Sequence, residues 1–280
     1  MGTGLFWPTM LALAAMFLAE GSGSRQAPIY SAASIVNAAS NEVGALAPYT
    51  FATIYGTDLA YSTCAISPDD IRGGRLPTEL AGVRVLIDSI PAIIYYVSPK
   101  QINLLIPSML RRPEAELQLA VDGRAGPAVP IKLLETAPAL FQLDAKTVVA
   151  TRADWSVITT EAPARSGEYV VLYATGLGDT TPPIVYGQAP QTAAPIQRLA
   201  EFQVWLGGVP LEAGRITYAG AAPGFAGLYQ INLKLPEKVE NDPEIRIGLG
   251  GQISPAGLRL PVRGAENKPT WAQPGRGVPR

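Results

Sequence analysis

The chain of 280 residues has no histidine and a single cysteine, Cys64. Without histidine there is no Ser-His-Asp or Cys-His catalytic set and no histidine-ligated zinc. A single cysteine excludes an intrachain disulfide, a cysteine-rich metal knuckle and an iron–sulfur cluster. Together with the scattered carboxylates considered below, these exclusions lead us to expect no catalytic residue, no bound metal, no cofactor and no enzymatic activity.

Charge is also scarce and balanced, since charged residues make up 16% of the chain, with 22 basic against 23 acidic side chains. Such a balance leaves no electrostatic footprint for nucleic acid, so no nucleic-acid partner is expected. Proline and glycine are abundant, at 26 and 28 residues, while the apolar content of 48% is typical of a folded core. Many short elements joined by turns are indicated, and hence an all-β protein.

Long apolar runs are absent too, because the longest, within residues 5–19, covers only about 15 residues and contains Pro8. A small, polar stretch follows it, which is typical of a secretory signal peptide. We predict a signal peptide over residues 1–23, although no Lys or Arg precedes the apolar run. An uncleaved anchor and a buried N-terminal helix are the alternatives. Export would leave Cys64 without a partner in an oxidising compartment, and we expect it to be a small buried hydrophobe rather than a site of intermolecular pairing.

An internal repeat organises the rest of the chain, and repeats of this kind define the fold. Four blocks recur in the same order, which chance similarity would not preserve. The matched pairs are 51–59 with 169–177, 83–91 with 202–210, 101–107 with 230–236, and 116–123 with 244–251.

Each copy reads as β-structure. Val83, Val85 and Ile87 alternate with Arg84, which is the period of a strand with one buried face. Asp88-Ser89 and its counterpart Gly207-Gly208 then supply tight turns. About seven strands per copy, spaced roughly 8 to 12 residues apart, favour two tandem immunoglobulin-like β-sandwiches.

The repeat predicts a domain organisation. A linker over 24–32 leads to a first sandwich module over 33–137 and a second over 138–263, and a polar, Pro/Gly-rich disordered tail covers 264–280. The connection between the modules is short and apolar, so we expect them to be packed at a fixed angle.

Several motifs carry a family resemblance. They lie at 35–40, 46–48, 54–60, 90–92, 96–103, 173–178 and 218–232. Over about residues 33 to 262 they resemble the Solibacter-type uncharacterised C-terminal domain of secreted acidobacterial proteins. The resemblance implies secretion and a paired sandwich similar to the TIG class of immunoglobulin-like domains, and it implies no activity. We expect two departures from the family: the module stands almost alone behind the predicted signal peptide, and an expected Asp-Gly turn reads Asp154-Trp155-Ser156.

Carboxylates are the remaining candidates for chemistry, because two of them flanking a cleft suffice for a glycosidase. Asp58, Asp69, Asp70 and Glu201 are scattered, and we interpret them as solvated turn residues. Asp58 is replaced by Gly176 in the second copy, which suits a turn better than a catalytic position. Calcium binding at Asp69 and Asp70 would need more oxygen ligands than the sequence places nearby.

Aromatic residues are the better binding candidates. The recurring tyrosines are expected to pack, with hydroxyls that reach the backbone at sandwich corners; they are Tyr55, Tyr96, Tyr173, Tyr218 and Tyr229. Residues 221–228 form an insertion that the first copy lacks, and such loops often carry binding function. Phe225 at its centre and Trp155 are the two candidate binding residues, and Phe225 is favoured as an anchor of its loop over an exposed contact.

The sequence therefore favours a secreted or periplasmic, non-enzymatic binding or structural module at the cell envelope. Its expected partner is an unidentified protein or glycan at the cell surface, and it is not an integral membrane protein unless the N-terminal segment stays uncleaved. The alternatives are a carboxylate-dependent glycan hydrolase and an envelope assembly subunit that pairs through exposed edge strands.

Overall fold

The computed structural model describes residues 26–264, and these form an all-β protein of two tandem immunoglobulin-like sandwiches. The predicted signal peptide and the tail beyond Gly264 lie outside the described residues, and the linker lies partly outside them. Within the described range, no helix is long and apolar enough to cross a membrane. The helical segments there are 3-10 turns at Ala32–Ser34, Pro68–Asp70, Leu199–Glu201 and Ala213–Arg215.

The first sandwich has a five-stranded sheet in the order β1-β2-β8-β7-β3 facing a six-stranded sheet in the order β10-β9-β5-β4, in which β11 also pairs with β9 and β6 with β5. Its strands are β1 (Ile35–Asn37), β2 (Phe51–Tyr55), β3 (Cys64–Ala65), β4 (Glu79–Leu80), β5 (Val83–Ile87), β6 (Ile90–Pro91), β7 (Ile93–Val97), β8 (Gln101–Leu105), β9 (Glu114–Val121), β10 (Arg124–Ala125) and β11 (Val129–Lys132).

The second sandwich repeats this plan. One sheet has the order β12-β15-β20-β19-β16, with β13 also on β15, and the other has the order β18-β17-β21-β22; β14 and β23 form a short parallel pair. Its strands are β12 (Ala139–Leu140), β13 (Ala150–Thr151), β14 (Ala164–Arg165), β15 (Tyr169–Thr175), β16 (Ala194–Pro195), β17 (Gln203–Leu206), β18 (Val209–Pro210), β19 (Ile216–Ala221), β20 (Tyr229–Lys234), β21 (Ile245–Leu249), β22 (Gln252–Ile253) and β23 (Val262–Arg263).

Alternation places the core of each sandwich as the sequence predicts. Val83, Val85 and Ile87 of β5 are fully buried while Arg84 is exposed. They pack with inward residues of β9 and with Ile54 and Leu104 of the opposite sheet. Burial of these apolar side chains stabilises the packing of the two sheets in each sandwich.

The structure confirms that the sequence repeat is a repeat of backbone geometry. The β5–β6 turn has positive φ at Asp88 (47°) and Ser89 (65°), and the matching β17–β18 turn has positive φ at Gly207 (60°) and Gly208 (78°). Positive φ at both central residues is the hairpin geometry that matches the twist of the flanking strands. The registers also shift at matching places, at Ile94–Tyr96 in β7 and at 216–218 in β19.

The two modules share a hydrophobic core. Residues on the outer face of the first module's five-stranded sheet belong to the same buried cluster as the core of the second module. The first-module members are Tyr49, Phe51, Ile93, Tyr95 and Leu105. Strands β2, β7 and β8 are therefore covered on both faces, which explains why they carry so few exposed residues.

Hydrogen bonds cross the same junction. The Phe51 N–H donates to Thr175 Oγ1 over 2.9 Å, and that hydroxyl donates onward to the Gly227 carbonyl over 3.1 Å. The Leu76 N–H donates to the Gly187 carbonyl over 2.8 Å. A shared core with buried polar contacts fixes the two sandwiches against each other, since breaking it would expose apolar surface and unpaired donors.

The face of the second module that corresponds to this junction is built differently. Phe51 is matched by Tyr169 and Leu105 by Lys234 in the repeat. Tyr169 is 53% exposed, and Lys234 Nζ lies 5.9 Å from the centre of its ring. An ammonium over an aromatic face is a favourable, water-compatible contact, so this face is stable in solvent.

Cys64 is less buried than the sequence predicts. Its side chain is half-buried at the edge of the first core, and Sγ donates to the Ala65 carbonyl over 3.7 Å. β3 is a two-residue edge strand that pairs only with β7, so no second strand covers the thiol.

Four of the five recurring tyrosines form hydrogen bonds of different kinds. Tyr229 is buried and donates to the Gly178 carbonyl, and Tyr218 donates to the Ala221 carbonyl over 2.7 Å, as expected for corner tyrosines. Tyr173 is buried but its hydroxyl bonds the Thr151 hydroxyl at 3.1 Å. Tyr55, in contrast, is exposed and donates to Asn41 Oδ1 over 3.3 Å.

Burial raises the pKa of Tyr49, Tyr95 and Tyr229 above the ordinary value, with smaller contributions from neighbouring ionisable groups. Above the unfolded pKa of about 10, the unfolded chain loses these protons and the folded chain keeps them. The stability they contribute is thus fully present below about pH 10 and is lost as the pH rises, by about 1.4 kcal/mol per pH unit for each tyrosine. Urea unfolding from about pH 9 to about pH 12 should show this decline.

The matched control is Tyr49→Phe. The Tyr49 hydroxyl is buried and has no hydrogen-bond partner among the described residues, so its removal should be nearly neutral at pH 7. The variant should lose stability less steeply at high pH. A wild-type protein that titrates all its tyrosines while still folded would contradict this account.

Candidate functional site

A cleft of about 250 Å³ lies where the two modules meet. The first module contributes the end of β1, β2, β7 and β8, and the second contributes the segment after β12, β15 and the loop between β19 and β20. The lining residues are Ala38, Ala39, Asn41, Phe51, Thr53, Tyr95, Asn103, Phe141, Gln142, Leu143, Asp144, Val149, Tyr173, Phe225, Ala226 and Leu228.

Aromatic rings form the wall of this cleft. Phe51 packs edge-to-face on Tyr95, with ring centres 5.0 Å apart, and on Phe141 of the other module, with ring centres 6.2 Å apart. These are the preferred geometries for aromatic pairs. The Tyr95 hydroxyl donates to the Ala226 carbonyl over 3.1 Å, which ties the wall to the second module. The aromatic wall is therefore held together by contacts within and between the two modules.

The loop 222–228 closes one side of the cleft. It is longer than the matching turn of the first module, which runs from Ser98 to Lys100 between β7 and β8. Gly227 has φ of 82°, and a Cβ there would lie 2.3 Å from Leu105 Cδ1, so only glycine lets the loop lie flat on the first module. The Ala222 N–H also donates to the Leu228 carbonyl over 2.9 Å.

Phe225 sits at the mouth of the cleft. It is half-buried against the shared core, as an anchor of its loop would be, and it also lines the cleft; its role in binding stays a prediction. Alternation gives no signal at this position, but the comparison of the two copies does, because the loop has no counterpart in the first module.

Trp155 lies elsewhere, outside the cleft lining. Its side chain is 57% exposed and its φ is 69°, on a turn closed by the Arg152 N–H donating to the Ser156 carbonyl over 2.9 Å. Asp154 Oδ1 accepts hydrogen bonds from both the N–H and the hydroxyl of Ser156. The turn thus forms without the glycine that the family resemblance would place there, and the structure separates the two candidate aromatics.

The polar lining of the cleft centres on Asn103 and Thr53, which face each other across β2 and β8. Asn103 is only 4% exposed. Its Oδ1 accepts from the Thr53 hydroxyl over 3.0 Å and from Gln101 Nε2 over 2.9 Å. Nδ2 forms the other side of this amide.

One carboxylate stands at the rim. Asp144 Oδ1 accepts the backbone N–H groups of Lys146 and Thr147 over 2.8 and 2.9 Å. The Lys146 N–H, with a smaller effect of the Thr147 hydroxyl, lowers the pKa of this carboxyl below its ordinary value. Asp144 is therefore a fixed negative charge at neutral pH.

The acidic residues singled out in the sequence do not reach this cleft. Asp58 has a left-handed φ of 56° that matches Gly176 at 77°, as a turn position requires. Asp70 accepts two hydrogen bonds from Ser67, and Glu201 pairs with Arg198 at 2.5 Å. Within residues 26–264 there is no cluster of three or more cysteine or acidic side chains that could hold a metal.

No family model matches the chain, and no curated protein matches it. Among solved structures it is similar to the surface glycan-binding protein PbSGBP-B from Prevotella bryantii, with 13% identity, 85% of this chain and 43% of that one covered, and a TM-score of 0.27. It is also similar to the SGBP-B of the Bacteroides ovatus mixed-linkage glucan utilization locus, in complex with a heptasaccharide. The identity is 11%, 78% of this chain and 43% of that one are covered, and the TM-score is 0.32. A third similar structure is the I9–I11 tandem of titin, with 11% identity, 79% of this chain and 62% of that one covered, and a TM-score of 0.24. The chain thus spans less than two thirds of each of these proteins.

Proposed function

We propose that this protein is a non-enzymatic binding module of the cell envelope and that the cleft between its sandwiches is the binding site. The observation that carries the proposal is the preformed aromatic wall shared by both modules, in which Phe51 joins Tyr95 to Phe141. Ligand sites are typically such concave, largely apolar spaces with a few placed polar groups. Because the wall is fixed by the shared core, binding would need little reorganisation.

The volume of the cleft limits the size of the ligand that it can bind. An apolar cavity of about 150 Å³ holds a benzene molecule. The cleft, at about 250 Å³, therefore accommodates one six-membered ring with its substituents, either as a small molecule or as the end of a longer chain.

The binding proposal is preferred to the hydrolase alternative because of the chemistry of the rim. A glycosidase needs two carboxyl groups across the scissile bond, one of them an acid with a raised pKa. Asp144 is the carboxylate that lines the cleft, and its pKa is lowered by backbone N–H groups.

The test uses two aromatic substitutions in the full chain. The protein is screened for binding to cell-surface glycans, peptidoglycan and envelope proteins, and reducing ends are assayed in the same samples. For the ligand that binds, Phe225→Ala should weaken affinity by about tenfold or more, since it removes part of the cleft mouth. Trp155→Ala, the matched loss of an exposed aromatic outside the cleft, should leave affinity unchanged.

The opposite pattern, with Trp155→Ala weakening binding and Phe225→Ala neutral, would show that the cleft is not the site. Absence of both binding and envelope localisation would overturn the proposed function. Release of new reducing ends would favour the hydrolase instead.

A further inference from the structure

The amide of Asn103 offers a donor inside the cleft. Its Oδ1 is occupied by Thr53 and Gln101, while Nδ2 has no hydrogen-bond partner among the described residues. Within that range, the fully buried side-chain atoms without a hydrogen-bond partner are the hydroxyls of Tyr49 and Ser166. Asn103 Nδ2 has no partner but is not among these atoms, so it is accessible from the cleft that Asn103 lines. A buried amide held in this way favours a ligand that supplies an acceptor.

The Thr53 hydroxyl beside it offers an acceptor. It uses its proton on Asn103, so its remaining lone pairs can accept a hydrogen bond. Thr53 lines the same cleft and is buried. A ligand hydroxyl, which accepts and donates at once, satisfies this adjacent donor and acceptor together, whereas a carbonyl or an ether would satisfy only Asn103.

The electrostatics of the cleft select against negative ligands. Among the described residues that line it, Asp144 carries the charge, and Asn41, Gln142 and Asn103 are neutral amides. An anionic group entering the cleft would face Asp144 without a lining cation to offset it.

We propose, on the basis of the proposed function above, that the cleft binds a neutral, hydroxyl-bearing six-membered ring, namely the pyranose unit of an uncharged glycan. The C–H face of the ring packs on Phe141 and Phe225, whose π faces carry partial negative charge. One ring hydroxyl accepts from Asn103 Nδ2 and donates to Thr53 Oγ1. Two further amides that line the cleft, the exposed Asn41 and the half-buried Gln142, contact the outer hydroxyls.

The experiment reads the side-chain amide of Asn103 directly. The ¹⁵N-labelled full chain is titrated with glucose, galactose, mannose and N-acetylglucosamine, and in parallel with glucuronic acid and with toluene as a ring without a hydroxyl. A neutral sugar should shift the Asn103 side-chain amide resonances. The Asn232 amide, which occupies the same repeat position in the second module and accepts from Gln230 in the same way, should not move.

Two substitutions accompany the titration. Asn103→Asp keeps the acceptor for Thr53 and Gln101 and replaces the donor with a second acceptor, so sugar affinity should fall at least about tenfold. Asn232→Asp makes the same change outside the cleft and should leave affinity within about twofold. The wild-type titration does not depend on the folding of either variant.

The outcomes separate the two proposals. If toluene shifts the cleft resonances and none of the sugars does, the pyranose assignment is overturned while the cleft remains the binding site. Tighter binding of glucuronic acid than of glucose would overturn the neutral-ligand assignment in the same way. If an envelope fraction binds the protein and neither Asn103 nor the other cleft resonances move, the cleft itself is the wrong site.

Discussion

The Gly176→Ala variant is expected to be strongly destabilised. Gly176 has φ of 77°, and a Cβ there would lie 2.0 Å from the Ala137 carbonyl oxygen and 2.6 Å from its carbon. Left-handed backbone costs a residue with a Cβ about 1–2 kcal/mol, and overpacking adds about 1–3 kcal/mol. The obstructing atoms are backbone, in the strand connection between the two modules, so they cannot rotate away. Urea unfolding should show a loss of about 3 kcal/mol or more.

Gly178→Ala is the matched control in the same loop. Its φ is 75°, close to that of Gly176, but the nearest atom to an added Cβ is Thr136 Cγ2 at 3.4 Å. The left-handed conformation alone should then destabilise the protein by about 1 kcal/mol. Equal losses in the two variants would mean that the contact with Ala137 contributes nothing.

The second large effect is expected for Phe51→Ala. Phe51 is buried in the shared core, touches the rings of Tyr95 and Phe141, and donates its N–H across the junction to Thr175. Removing a buried phenylalanine ring typically costs about 3–5 kcal/mol through lost transfer free energy and the cavity left behind. Because the ring joins the two modules, its loss should also separate their unfolding, so that a single transition becomes two in calorimetry.

Tyr169→Ala is the control at the equivalent position of the second module. Tyr169 is more than half exposed and contacts Lys234 rather than another module. Its truncation should change the free energy of unfolding by no more than about 1 kcal/mol and leave the shape of the transition unchanged. If both variants unfold alike, Phe51 does not couple the modules.

Most of the strands could be predicted from the sequence because each matched block carries a local signal. The alternation in Val83–Ile87, the turn at Asp88 and Ser89, and their copies in the second module depend on neighbouring residues only. The repeat adds an independent check, since the same pattern in two places is evidence for one fold. The division of the chain at 137 and 138, the signal peptide and the tail stay predictions.

The cleft could not be predicted in this way, because it depends on which face of one sheet the other module covers. In β2 both faces are buried, so alternation does not reveal that Phe51 and Thr53 face the second sandwich. Asn103 is even harder to identify, since its role follows from two hydrogen bonds across strands and from a loop that comes more than a hundred residues later. The repeat holds one usable signal: Leu105 is matched by Lys234, a difference that marks the covered face.

The replacement of Leu105 by Lys234 also affects whether a further module could pack on the second one. In arrays of packed repeats, an apolar outer face recruits the next unit and a polar one caps the series. In the first module this face is apolar and packs on the second module. In the second module, the equivalent positions are occupied by Tyr169 and Lys234. Within residues 26–264, this face of the second module is therefore capped by Tyr169 and Lys234, which disfavours the packing of a second copy onto it through the same repeat contact.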